Sequence, residues 1–231
     1  LKIIQRPRSP DYMATQTDHL EPRKPGRPGG SKPEAAKRKQ LDGIYLRLFS
    51  QQGIARTSLN AIAREAGVTP AMLHYYFNSR EQLLDVMIEE RFLPLRAQIS
   101  GVFGDHPDEP VKALTAMVKT LSAIAAEHEW FAPLWMQEVI GEMPVLRQHM
   151  HARFGDDKYH ATLAMVKRWQ AEGKINPHLS AELLFTTLLS LVLVPFSRMR
   201  NDERLAMLTP EVITHNVLAM IQQGIGPVSG A

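Results

Sequence analysis

The chain contains no cysteine. Disulfides, cysteine-ligated zinc fingers and thiol catalysis are therefore excluded, and a reducing, cytoplasmic setting is the expected localisation. Long apolar runs are missing too. The most apolar stretch, Leu183 to Phe196, is interrupted by Thr186, Thr187 and Ser190 and meets Pro195, so it is too short to span a bilayer and reads as a buried helix. The first residues, Leu-Lys-Ile-Ile-Gln-Arg-Pro-Arg, lack an apolar core of signal-peptide length. No Gly-x-Ser-x-Gly, phosphate-loop or His-Glu-x-x-His pattern occurs. His149 and His151 are two apart on an expected helix and point to different faces, which argues against a shared metal. No enzyme, no cofactor and no membrane partner are expected.

Net charge is small, +3 on 231 residues, but the basic residues are unevenly placed. Between Arg23 and Arg56 stand Arg23, Lys24, Arg27, Lys32, Lys37, Arg38, Lys39, Arg47 and Arg56 against Glu34 and Asp42. A basic front half points to a polyanion partner; a solvated lysine-rich helix face is the other reading. Residues 1–32 are rich in Pro, Gly and charge without periodicity and are expected to form a disordered basic arm.

Apolar periodicity then begins. Leu41, Ile44, Tyr45, Leu48 and Phe49 mark one face of a first helix that ends at Gly53. Ser58 is the expected N-cap of a second helix, Leu59 to Ala66, with Leu59, Ile62, Ala63 and Ala66 inward. Gly67 supplies a left-handed turn, Val68 plugs the core, and Thr69 with Pro70 opens a short third helix to Phe77. Ser79 and Gln82 have capping-box spacing for a fourth helix, which Pro94 kinks before Gly101 and Gly104 end it. This is a helix-turn-helix whose third helix suits a DNA major groove. Thr69, Pro70, Ala71, His74 and Tyr75 are placed to meet bases or phosphates, Tyr76 and Arg80 to meet phosphates, and Met72, Leu73 and Phe77 to face the core.

The run Thr57-Ser58-Leu59-Asn60-Ala61-Ile62-Ala63-Arg64-Glu65-Ala66-Gly67-Val68-Thr69, followed by Leu73-His74-Tyr75-Tyr76-Phe77 and Ser79-Arg80-Glu81-Gln82-Leu83, resembles the N-terminal domain of the TetR family of transcriptional regulators. The resemblance covers roughly residues 35–85. It implies an all-α fold: a three-helix DNA-binding domain (33–80), a larger helical ligand-binding and dimerisation domain (81–224), and a flexible tail (225–231). It implies DNA contacts from Ser58, Asn60, Thr69, Pro70, Ala71, His74, Tyr75, Tyr76 and Arg80. His74 stands where the family often has tyrosine, and Arg80 where it often has lysine. In the arm, Pro25-Gly26-Arg27-Pro28-Gly29-Gly30 resembles half of an AT-hook, placing Arg27 in an A·T minor groove; an unstructured basic linker is the alternative.

Beyond residue 100 the chain reads as helical throughout, near 107–128, 131–141, 143–153, 156–173, 180–199 and 209–224. Phe103, Met117, Leu121, Phe131, Trp135 and Trp169 are the expected lining of a ligand pocket, since Met and aromatic side chains make adaptable apolar walls; plain core is the competing reading. Glu127, Glu129, Glu138 and Glu142 are expected to be solvated; a buried one among them would favour a cationic ligand. Leu184, Leu188, Leu191 and Val192, with Val212, Ile213, Val217, Met220 and Ile221, suit a four-helix homodimer interface; burial within the chain is the competing reading. The expected function is a ligand-responsive regulator, a repressor that binds a palindromic operator in double-stranded DNA as a dimer and is released by a small amphipathic or apolar effector. A ligand-independent DNA-binding factor is the main alternative, and a helical enzyme a more remote one.

Overall fold

The computed structural model describes residues 32–140, 143–199, 202–205 and 207–227. Arg27 and the arm up to residue 31 lie outside them. Every regular element among the described residues is helical. In order these are α1 (Lys32–Gln52), α2 (Leu59–Glu65), α3 (Pro70–Tyr76), α4 (Arg80–Met87), a π-turn (Ile88–Phe92), α5 (Leu93–Asp105), α6 (Pro110–Glu127), α7 (Phe131–Ile140), α8 (Val145–Phe154), α9 (Asp157–Ala171), α10 (Leu184–Arg198), a 3-10 turn (Glu203–Leu205), α11 (Pro210–Met220) and a second π-turn (Ile221–Ile225). No described helix is long and apolar enough to cross a membrane.

Local chemistry sets the first elements. The Ser58 hydroxyl accepts the Ala61 N–H at 3.1 Å and starts α2. At its end Val68 N–H bonds to Ala63 O at 3.0 Å and Gly67 N–H to Arg64 O at 3.2 Å. This paired closure requires the left-handed φ of +62° that Gly67 adopts without a side-chain clash. Thr69 then caps α3 through the Met72 N–H, and Ser79 caps α4 through the Gln82 N–H.

Pro94 does interrupt the fourth helix, through a widened turn. Leu93 N–H reaches back five residues to Ile88 O, forming the π-turn immediately ahead of the proline. The missing proline N–H and its bulky ring disrupt the regular ladder at this point.

Two apolar cores result. The first gathers Leu41, Tyr45, Phe49, Ile62, Leu73 and Phe77 from α1–α3 and Leu83, Leu84 and Met87 from α4. Phe77 meets Tyr45 edge-on at 6.2 Å. Each such fully buried large side chain contributes roughly 1.5–3 kcal/mol relative to exposure. The second core packs α6 (Leu114, Met117, Leu121) against α9, α10 and α11 through Trp169, Leu188, Val192 and Val217. The first core also takes in Leu134 of α7 and Leu146 of α8, so the two regions share walls.

An ion pair reinforces that junction. Arg91 of the π-turn donates to the Asp42 carboxylate of α1, which is buried. Tyr45 lies beside the pair, and burial, with the negative charge of Asp42, raises its phenol above the ordinary value.

At the far end, Ile225 was expected in a flexible tail. It is instead buried, and its carbonyl accepts the Asn176 N–H at 3.0 Å. Residues 228–231 lie outside the described set.

Candidate nucleic-acid interface and internal cavity

The outer side of α3 exposes Thr69, Pro70, Ala71, His74 and Tyr75, while Leu73 and Phe77 are buried. Met72 differs from the expectation: it is 41% exposed, because the helix is short and only Leu73 and the capping Phe77 point into the first core. The exposed face is thus apolar and aromatic as well as polar. Tyr75 and Tyr76 meet edge-to-face at 5.5 Å, with Tyr76 half-buried. His74 Nδ1 lies 3.3 Å from Asn78 O. Ser58 and Asn60 are exposed at the start of α2.

Arg80 is half-buried, and its guanidinium donates to Ile54 O. It therefore ties α4 to the loop after α1, with the remaining N–H groups left for other acceptors. The basic front half is less free than its composition suggests. Arg38 pairs with Glu90 at 2.7 Å and Arg47 with Glu65. Arg56, Arg64 and Lys39 are exposed.

A cavity of about 640 Å³ opens beneath this unit. Of the six expected lining residues, Phe103, Met117, Leu121, Phe131 and Trp135 border it. Trp169 does not: it lies a turn beyond Met165 along α9, fully buried, and stacks on Phe103 at 6.3 Å. Phe92, Ile99, Trp130, Met150, Met165 and Phe185 complete much of the apolar wall. Phe92, Leu134 and Leu146 belong both to this wall and to the first core or its margin.

Glu138 on the cavity wall corrects the expectation of a solvated carboxylate. It is 6% exposed, and its Oε2 accepts Leu146 N–H at 2.8 Å and Arg147 N–H at 3.3 Å. Helix α8 begins after Pro144, which has no capping side chain, so Glu138 of α7 serves as its cap. Burial raises the Glu138 carboxyl above its ordinary value, and the Arg147 and Leu146 amides and the Arg147 charge only partly oppose this. The missing cap at Pro144 was the one sequence signal for this role. Nothing local marked Arg96 or Arg147, which also border the cavity.

Also on α8, His149 Nε2 lies 2.8 Å from Asp85 Oδ1 of α4, and Arg153 pairs with Glu89. His151 faces Asp156 at 2.9 Å, so the two histidines serve different carboxylates.

The expected dimer residues divide. Leu184, Leu188, Val192, Ile213, Val217 and Ile221 are buried within the chain itself, where α6 and its neighbours cover them. They are withdrawn as interface side chains. Met220 remains 49% exposed and Leu191 half-exposed. Leu183 (60%) and Val212 (49%) are exposed apolar residues on the same two helices or their ends.

Comparison with known proteins agrees with this architecture. Residues 46–87 match the family model for bacterial regulatory proteins of the tetR family. The regulator BetI of Rhizobium meliloti (strain 1021) is 34% identical over 106 residues, covering 43% of this chain and 47% of BetI. The chain spans about half the length of the first such curated relatives. The ketosteroid regulator KstR2 of Mycobacterium tuberculosis superposes with a TM-score of 0.63 at 19% identity, over 83% of this chain and 96% of KstR2. The SmeT–triclosan complex superposes with a TM-score of 0.55 at 18% identity, over 84% and 93%. Residues 46–87 are thus similar in sequence to regulators of the tetR family, and the helical fold that continues from them is the fold shared with KstR2 and SmeT.

Proposed function

We propose that the protein is a ligand-responsive transcriptional regulator, acting as a repressor that binds a palindromic operator as a homodimer and leaves it when a small amphipathic or apolar molecule fills the cavity. The observation that carries this reading is the shared wall: Phe92, Leu134 and Leu146 border the cavity and also pack in or against the first core. A ligand pressing on these side chains acts on the unit that bears α3. Interiors this closely packed shift between discrete arrangements rather than deforming smoothly. The functional division of the chain is then a DNA-binding unit extending through Met87, since α4 completes its core, and an effector-binding and dimerisation unit beyond. SmeT, named with bound triclosan, offers a precedent for a small molecule on this fold.

In this reading α3 enters the major groove with Thr69, Pro70, Ala71, His74 and Tyr75, joined by Met72. Ser58, Asn60, Tyr76 and Arg80 meet the backbone, and the arm with Arg27 adds minor-groove or purely electrostatic attraction. The dimer forms through the exposed apolar side chains of α10 and α11, Leu191 and Met220 with Leu183 and Val212. Two half-sites about one DNA turn apart then match two recognition helices.

The test is a footprint on DNA upstream of the protein's own gene, followed by a compound screen for release. A protected palindrome spanning two successive major grooves, lost on adding a lipophilic compound, supports the reading. A monomer that ignores every duplex fragment at low ionic strength overturns it. Affinity unchanged by any lipophilic compound favours a ligand-independent factor.

A further inference from the structure

The main cavity adjoins a second hollow of about 460 Å³, and the two share Arg96, Arg147 and Met150. The first is walled mainly by aromatic and aliphatic side chains. The second is cationic: Arg96, Arg147 and Lys158 border it with a single carboxylate, Asp156, which already faces His151 at 2.9 Å. Among the described residues no ion pair engages the side chains of Arg96, Arg147 or Lys158. Neighbouring arginines are satisfied, Arg153 by Glu89 and Arg91 by Asp42.

We propose that the effector is an amphipathic anion, with its apolar tail in the cavity and a carboxylate or phosphate head in the adjoining hollow, held by Arg96, Arg147 and Lys158. This rests on the effector role proposed above. Guanidinium groups fit both head chemistries through paired N–H donors. The apolar wall accounts for the tail, and the placement of the two shared arginines at the junction sets the polarity of entry. Glu138 does not oppose the head. Its Oε2 is turned to the Leu146 and Arg147 amides of α8, which it caps. A cationic head in the same place would face three basic side chains and a single carboxylate, Asp156.

Trp130 and Trp135 border the cavity, so the full chain reports occupancy by its own fluorescence. Dodecanoate, dodecyl phosphate, dodecanol and dodecyltrimethylammonium are titrated below their micelle concentrations, with inorganic phosphate as a control. The expected result is at least about tenfold tighter binding of one or both anions than of the alcohol, and weakest binding of the cation. Whichever of carboxylate and phosphate binds more tightly identifies the head. Arg96→Gln with Arg147→Gln abolishes the preference for the anions over dodecanol, whereas Arg147→Lys retains most of it; melting curves confirm folding. Equal affinity for dodecanol and the anions, preference for the cation, or a preference that survives the double substitution overturns the assignment. DNA binding is measured in the same samples. Selective anion binding without release from DNA removes the regulatory reading and leaves the ligand assignment standing, so the two failures are distinct.

Discussion

The Glu138 carboxylate and the Leu146 amide, 2.8 Å apart, join the end of one cavity helix to the start of the next. Helix α8 owes its first turn to this contact, because Pro144 caps nothing. The same helix borders the cavity with Leu146, Arg147 and Met150, and reaches α4 with His149 and Arg153. It is thus in contact with both the candidate effector site and the reading unit.

Glu138→Gln keeps an acceptor and removes the charge, whereas Glu138→Ala removes both. We expect Glu138→Ala to lower stability by about 1–2 kcal/mol and Glu138→Gln to be neutral or stabilising at neutral pH. The folded chain holds the Glu138 proton more tightly than the unfolded chain. Its contribution to stability is therefore fully present below 4.5 and declines as pH rises through the raised folded value. Urea titrations across that range check this; Glu138→Gln should flatten the slope there.

Arg91→Met should destabilise the fold by roughly 3 kcal/mol, because it strands the buried Asp42 carboxylate without its partner. Adding Asp42→Leu should restore most of the loss. A double variant no more stable than Arg91→Met would show that the pair's value lies in its polar contacts rather than in charge compensation.

His74→Ala and Met72→Ala should alter base preference in a binding-site selection, since both side chains are exposed on α3. Tyr76→Phe should weaken all sequences alike. Arg80→Ala should do the same, with a shallower salt dependence. It should also reduce stability by about 1 kcal/mol, because the Ile54 carbonyl loses its donor. Unchanged preference in both His74→Ala and Met72→Ala would remove this face from base reading.

Arg153→Ala with His149→Ala severs α8 from Glu89 and Asp85. The expected outcome is effector affinity within about twofold of the parent but a smaller effector-induced change in DNA affinity, by a factor of about 5 or more. Full retention of coupling would place the transmission elsewhere, in the shared apolar wall.

Met220→Glu should shift the protein toward monomer in sedimentation experiments and weaken operator binding, since a charge would then sit among the exposed apolar residues of α10 and α11. Leu188→Glu would unfold the chain rather than dissociate it, because Leu188 is core.

The short-range features were legible in advance. Ser58, Gly67, Thr69, Pro70 and Ser79 act on backbone groups one to five residues away, so their roles follow from neighbours in the chain. Helical periodicity likewise located every long helix. What it left undecided was who covers each apolar face. Leu188 and Val217 look the same to a pattern whether a neighbouring helix or a second copy buries them, and here α6 and its neighbours do. Met72 turned outward because a seven-residue helix has room for few inward positions.

By itself, then, the sequence determined the all-helical class, the caps and turn of the reading unit, and three of the aromatic residues around the cavity, Phe103, Phe131 and Trp135. Tertiary structure alone decided that Glu138 is buried as the cap of α8, that Arg38 and Arg47 are paired, and that Arg96 and Arg147 border both an apolar chamber and the hollow beside it. Those outcomes depend on which distant segments pack together. A carboxylate or guanidinium takes its role from the groups that surround it after folding, and local spacing carries no record of them.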